Sequence, residues 1–276
     1  DTEVARAMPG VLAVLTGADI LADKLGPVPH IPAAMSPPDI RLDNSDGSPH
    51  KIVRPMVLAI EEARFVGEAV AFVVAETLAI ARDAGEALHV AYADLPAVVE
   101  GMAAARDTDN VAVDSRVGDP AATRAGFAQA AHVVRLETSI QRVTGVPMEP
   151  RAALGQYDAT SGRYTVYAGG GALVRPKREI ARIFGIKPDK VRVIAHDVGG
   201  NFGTRNFFYP EFALVCWASR KVGRPVKWTC ERQEAFLSDY AGRDFRIESD
   251  LALDSEGNFL GLDATSLSNL GAYTAS

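Results

Sequence analysis

The chain reads as an α+β protein of two domains. Three observations predict this. Strand-like and helix-like runs are intermixed without a regular βαβ repeat. Its 276 residues, 47% hydrophobic and 23% charged, can bury a core larger than one small domain needs. A weakly periodic, Ala/Asp-rich stretch from Pro96 to about Asp119 separates two patterned regions. The boundaries that follow are 1–105 for the first domain, 106–120 for a linker and 121–276 for the second.

In the first region, Val66, Ala69, Ala71 and Val73 lie in an apolar, β-branched run that predicts a buried strand. Thr77 is placed to cap a helix carrying Leu78, Ala81, Ala84, Ala87 and Leu88, and His89–Tyr92 returns to extended backbone. Residues 20–55 hold Pro27, Pro29, Pro32, Pro37 and Pro38 and read as a long loop of the kind that covers a site or meets a partner.

The second region opens with a short helix over Ala122–Ala130 and a strand over His132–Ser139. A hairpin follows, its strands Ala153–Tyr157 and Arg163–Tyr167 joined through Ala159-Thr-Ser-Gly162. Leu173, Lys177, Ile180, Ala181 and Phe184 recur at helical spacing, with Gly185 to close the helix and Pro188 beyond it. Val191–His196 predicts a strand, and Pro210, Glu211 and Gly223 mark the first turn and the end of another helix. Phe245–Leu253 and Phe259–Leu267 form a last pair around Ser255-Glu-Gly-Asn258.

Between the Val191 strand and the Pro210 helix runs Asp197-Val-Gly-Gly-Asn-Phe-Gly-Thr-Arg-Asn-Phe-Phe-Tyr-Pro-Glu211. Three glycines around one phenylalanine give a backbone that turns sharply and lets a ligand come close. Exposed amides in such a loop form a donor surface for anionic or oxo groups. The loop lacks the Gly-Lys-Ser/Thr ending of a P-loop and the G-x-G-x-x-G spacing of a dinucleotide site, so a nucleotide-binding module is disfavoured. No cluster of His, Cys and carboxylates has metal-ligand spacing. A net charge of −6 gives no electrostatic case for nucleic acid, and no apolar run approaches the ~18 residues of a membrane span. Cys216 and Cys230 read as buried small hydrophobes in a reducing compartment, which places the protein in the cytoplasm.

The loop resembles the Gly-Gly-x-Phe-Gly segment of the large, molybdenum-binding subunit of the xanthine dehydrogenase/aldehyde oxidase/carbon monoxide dehydrogenase family. Four further segments are similar to that family in the same order: Pro9–Asp19, Arg64–Glu76, Pro147-Met-Glu-Pro150 and Gly223–Glu234. The Tyr209-Pro210 pair and the Gly223–Trp228 run point to its carbon monoxide dehydrogenase-like branch. The resemblance implies an a/b hammerhead-type domain over 1–105, incomplete at its N-terminus. After it would come the first part of a molybdenum cofactor-binding domain over 121–276, incomplete at its C-terminus. It implies a molybdenum–pterin cofactor in the cytosine dinucleotide form, ligated through its dithiolene and not by protein side chains. Such enzymes oxidise small carbonyl, heterocyclic or CO-like substrates with oxygen from water. Electrons leave through a 2Fe-2S small subunit to an FAD-binding medium subunit, in a dimer of heterotrimers.

Residue by residue, the resemblance places Gly200, Asn201, Phe202 and Gly203 in the cofactor cradle. Asn201 stands where many members have glycine, so it is expected at positive φ. Asn206 falls where purine oxidisers carry a substrate-anchoring glutamate, which argues against xanthine. The family's metal-side Ser/Thr-Gln pair falls at Gly170-Gly171, where backbone amides would have to replace the glutamine or the site is altered. The catalytic glutamate is expected beyond Ser276, as is the cysteine that marks carbon monoxide oxidisers. Arg205 is read as a phosphate or subunit contact or as a solvated side chain, and His196 as a hydrogen-bonded structural residue. Glu149 is read as a structural acceptor, and Arg232 as an ion-pair partner of Glu231 and Glu234. The alternative function is a non-catalytic scaffold or partner-binding subunit of such a complex.

Overall fold

The computed structural model of the chain describes residues 1–29, 43–99 and 110–274. The centre of the predicted 20–55 loop and residues 100–109 of the Ala/Asp-rich stretch lie outside the described residues. Helix α1 (Glu3–Ala7) leads into β1 (Val11–Thr16), and α2 (Gly17–Ala22) follows directly. The Asp19 carboxylate accepts the Thr16 N–H at 2.8 Å, satisfying one of the donors a helix start leaves open. Strand β2 (Ala71–Ala75) pairs antiparallel with β1, Val14 facing Val73 and Thr16 facing Ala71. The predicted Val66–Val73 strand therefore starts late. Gly67, at φ +104°, turns the chain ahead of it, and Val66 stands 80% exposed. Helix α3 (Leu78–Glu86) is capped as expected, the Thr77 hydroxyl accepting the Ile80 N–H at 3.3 Å.

The second region opens with α4 (Pro120–Ala128), whose first turn is held by Asp119 accepting the N–H groups of Ala121 and Ala122 at 2.8 and 3.1 Å. A three-stranded antiparallel sheet runs in the order β3 (His132–Thr144), β8 (Ala241–Leu253), β9 (Phe259–Ser268). A four-stranded sheet has the order β6 (Val191–Ile194), β5 (Arg163–Ala168), β4 (Ala152–Asp158), β7 (Val226–Thr229), with β5 and β6 parallel. The β4–β5 hairpin keeps the predicted register, Tyr157 facing Tyr164.

Two long helices cover the four-stranded sheet: α5 (Val174–Ile183) against β6, and α6 (Pro210–Val222) against β4. Every α6 residue from Phe212 to Ser219 is buried. Its close approach depends on Gly155, where a Cβ would come within 2.6 Å of the Cys216 backbone nitrogen. Gly223 ends α6 at φ +68°, the left-handed cap that its position predicted. Leu15, Ile20 and Phe72 join Phe212, Trp217 and Val166 in one apolar cluster, so the first region is packed directly on α6. Trp217 Nε1 donates to Asp23 at 2.6 Å across the same contact, and Lys221 pairs with Asp23 at 2.6 Å. Cys216 and Cys230 are buried and free, as the sequence indicated.

Candidate functional site

Strand β6 delivers the chain to the glycine loop, and α6 takes it away at Pro210. In between, Gly200, Phe202 and Gly203 all have left-handed backbone, at φ +114°, +47° and +87°. The positive φ expected of Asn201 falls on Phe202 instead. Such a conformation costs a side-chain-bearing residue about 1–2 kcal/mol and persists only where neighbours hold it. Here Asn201 is one of those neighbours. Its Oδ1 accepts the Gly203 N–H and its Nδ2 donates to Asn206 Oδ1, each at 2.9 Å. The Phe202 ring is thereby turned outward and is 73% exposed.

A second glycine turn, Gly169–Gly171, leaves β5 and lies against the first. A Cβ on Gly170 would sit 3.0 Å from the Arg205 carbonyl oxygen, and one on Gly171 would collide with the Asn201–Asn206 amide pair. The fold thus brings Gly170, Gly171, Gly200, Asn201, Phe202, Gly203 and Asn206 into one patch. Within it the N–H groups of Gly170, Gly171, Gly200, Asn201 and Phe202 donate to no group among the described residues. Above Gly203 a Cβ would meet nothing within 4 Å. Among the described residues no group of three or more His, Cys, Asp or Glu side chains could hold a metal ion. Unpaired neutral N–H donors beside an open space suit a group that accepts hydrogen bonds through oxo or phosphate oxygens and brings its own metal ligands. The residues present fit a molybdenum–pterin cofactor.

The support beneath the loop departs from the sequence reading in three places. Arg205 is not solvated: it is 6% exposed, and its guanidinium donates to the Glu149 carbonyl. Arg232 does not pair with Glu231 or Glu234; it donates to the Met148 carbonyl at 2.8 Å, while Glu231 meets Arg82 at 2.5 Å. His196 is exposed and makes no hydrogen bond among the described residues. Glu149 is the acceptor it was expected to be, taking the Gly199 N–H at 2.6 Å.

A buried arginine that the sequence reading missed anchors the same region. Arg151, 1% exposed, donates to Asp239, to Glu211 at 2.8 Å and to Ser238 at 2.8 Å, and lies 4.1 Å over the Tyr209 ring. Burial works against its charge, but Glu211, Cys230 and Asp239 outweigh it and hold its pKa above the ordinary arginine value. The Tyr209 hydroxyl in turn donates to the Thr204 carbonyl at 3.0 Å and accepts the Tyr240 N–H at 3.1 Å. The only sequence signal for this network is an arginine after the Met148-Glu-Pro turn with acids at 211 and 239.

Comparison with known proteins agrees with this chemistry. Residues 1–96 match the a/b hammerhead domain of aldehyde oxidase and xanthine dehydrogenase, and residues 104–276 match the molybdopterin cofactor-binding domain. The carbon monoxide dehydrogenase large chain of Hydrogenophaga pseudoflava is 30% identical over 99% of this chain and 34% of its own length. Quinoline 2-oxidoreductase from Pseudomonas putida 86 superposes with a TM-score of 0.78 at 34% identity, over 97% of this chain and 33% of that one. The carbon monoxide dehydrogenase of Oligotropha carboxidovorans does so at 0.83 and 28%, over 97% and 34%. The chain spans about a third of the length of the relatives it matches. With both domain models matched in order, the chain belongs to the family of molybdopterin-binding large subunits that includes xanthine dehydrogenase, aldehyde oxidoreductase and carbon monoxide dehydrogenase.

Proposed function

We propose that this chain forms part of the large subunit of a molybdenum-dependent hydroxylase. The enzyme would oxidise a small carbonyl, heterocyclic or CO-like substrate with oxygen taken from water. One observation carries the reading: two glycine turns meet and leave five backbone N–H groups without a partner among the described residues, beside the open surroundings of Gly203. Gly170, Gly171, Gly200, Asn201, Phe202 and Gly203 would hold the cofactor, here the cytosine dinucleotide form of molybdopterin. When bound, that group supplies the redox chemistry. The chain's own residues orient it through fixed amide dipoles, which need no rearrangement as charge develops. Gly170 and Gly171 would donate from their backbone at the position where the resemblance places a glutamine side chain.

Asn206 would face the substrate with a neutral amide, which suits an uncharged molecule better than a purine anchored by a carboxylate. Glu149 is committed to Gly199 and Glu211 to Arg151, so neither of these two serves as a general base. The chain offers no cysteine set for electron transfer, so an iron–sulfur subunit and an FAD subunit would carry the electrons, in a cytoplasmic dimer of heterotrimers.

The test is Gly203→Val in the intact protein. A Cβ there meets nothing within 4 Å among the described residues beyond its chain neighbours, so apart from the strain of positive φ the variant probes for a group seated on the loop. Gly223→Val is a control for positive φ in open surroundings: Gly223 stands at φ +68° and ψ +19°, Gly203 at φ +87° and ψ −35°, and a Cβ at either meets nothing within 4 Å. Activity should vanish in the first variant and persist in the second. Full activity in Gly203→Val would show the loop to be structural.

A further inference from the structure

We propose that Glu149 and Arg205 together form a positioning clip that sets the shape of the glycine loop for its cofactor. The inference rests on the cofactor reading above but concerns residues outside the cradle. Glu149 lies in the turn between β3 and β4, 50 residues before the loop, yet it touches both of its ends. At one end its carboxylate accepts the Gly199 N–H at 2.6 Å, and its own N–H donates to the Gly199 carbonyl at 3.4 Å. At the other end its carbonyl accepts the buried Arg205 guanidinium. The approach is so close that a Cβ on Gly199 would fall 2.6 Å from the Glu149 Cβ. Gly199 is therefore required for contact and not for its backbone angles.

This arrangement explains how three left-handed residues coexist inside the loop. Gly200, Phe202 and Gly203 are enclosed between two ends pinned to one residue, and Phe202 cannot relax to negative φ without moving one of them. Arg205 adds charge as well as shape. It is 6% exposed, its Nε has no hydrogen-bond partner, and no carboxylate lies within ion-pair distance among the described residues. A buried cation in that state is costly unless a negative group offsets it. Placed under the cradle, it favours acceptor oxygens above the loop amides.

The experiment compares Glu149→Ala, Glu149→Gln and Arg205→Met in the intact protein by amide hydrogen exchange over 199–206, molybdenum content per chain and thermal midpoint. Glutamine keeps an acceptor for the Gly199 N–H and should exchange within about threefold of wild type, with molybdenum retained. Alanine loses a bond to a charged acceptor, so exchange at Gly199 should rise roughly tenfold or more. Its molybdenum content should fall by at least half, while the midpoint of the molybdenum-free protein stays unchanged. Arg205→Met should lose molybdenum in the same way. Three results would overturn the clip: wild-type exchange in Glu149→Ala, equal damage in both Glu149 variants, or faster exchange with molybdenum fully retained. Failure of the cofactor reading itself would show separately, as an active Gly203→Val enzyme.

Discussion

Replacing Arg151 by methionine gives the sharpest test of what holds the candidate site. The side chain is 1% exposed, and its partners Asp239 and Glu211 are 2% and 14% exposed. Methionine conserves much of the volume but leaves two carboxylates facing an apolar wall formed by Tyr209 and Trp228. Breaking a buried ion pair from one side costs about 3–5 kcal/mol, because the remaining charge keeps its desolvation penalty. For a protein of this size that corresponds to a midpoint lowered by roughly 6–20 °C. Thermal unfolding followed by fluorescence suits the question, since Trp228 is itself 5.6 Å from the guanidinium. The cost should be largely reversed in Arg151→Met/Glu211→Gln/Asp239→Asn, where no charge is stranded. A loss below about 1 kcal/mol in the single variant, or a triple variant no better than the single, would refute the argument.

Further outcomes follow from the same structure. Gly223→Ala should cost about 1 kcal/mol, since its Cβ enters open space and only the left-handed backbone resists it, and Gly223→Asn should cost less; equal stability of all three would refute the cap. Burial pushes the Cys216 and Cys230 thiols up to about 12, so at pH 8 roughly one in ten thousand is thiolate and iodoacetamide should label neither before unfolding; rapid labelling of the native protein would contradict this. Burial, opposed by Arg175, raises the Glu179 pKa above its ordinary 4.5, so its contribution to stability is greatest below that value and is lost as pH rises through the folded pKa. The midpoint difference between Glu179→Gln and wild type should therefore move in the variant's favour from about pH 4 to about pH 7, and a constant difference would show that Glu179 does not titrate this way.

Much of the fold was legible because its signals are local. The β4–β5 hairpin announces itself by alternation and by Gly162, which turns at φ +65°, and α6 by Pro210 at one end and Gly223 at the other. The short helices α1, α2 and α7 (Arg232–Ser238) went unread, since five to seven residues make too few turns for a periodic pattern. Strand β3 runs on to Thr144 because nearly all its side chains are exposed, so no inside–outside alternation marks where it ends. The 66–73 run misled for the opposite reason. Its apolar composition promised burial, but Gly67 turns the backbone and leaves Val66 in the open.

The candidate site divides along the same line. That the two glycine turns lie together could be anticipated from the sequence, since glycines mark where backbone must turn or come close. How they are held could not, because each decisive contact spans dozens of residues: Glu149 to Gly199, Arg205 to Glu149, Arg151 to Asp239. Asn201 shows the consequence. Judged alone, asparagine tolerates left-handed backbone better than phenylalanine, so the strained angle was assigned to it. In the folded chain its side chain is worth more as a relay between Gly203 and Asn206, and with both loop ends fixed the strain moves to the next residue. Phe202 accepts it because its ring needs no hydrogen bond, and the result is an aromatic face held outward beside unused amide donors. Local preference chose the right segment and the wrong residue, since the angle is set by the closure of the loop as a whole.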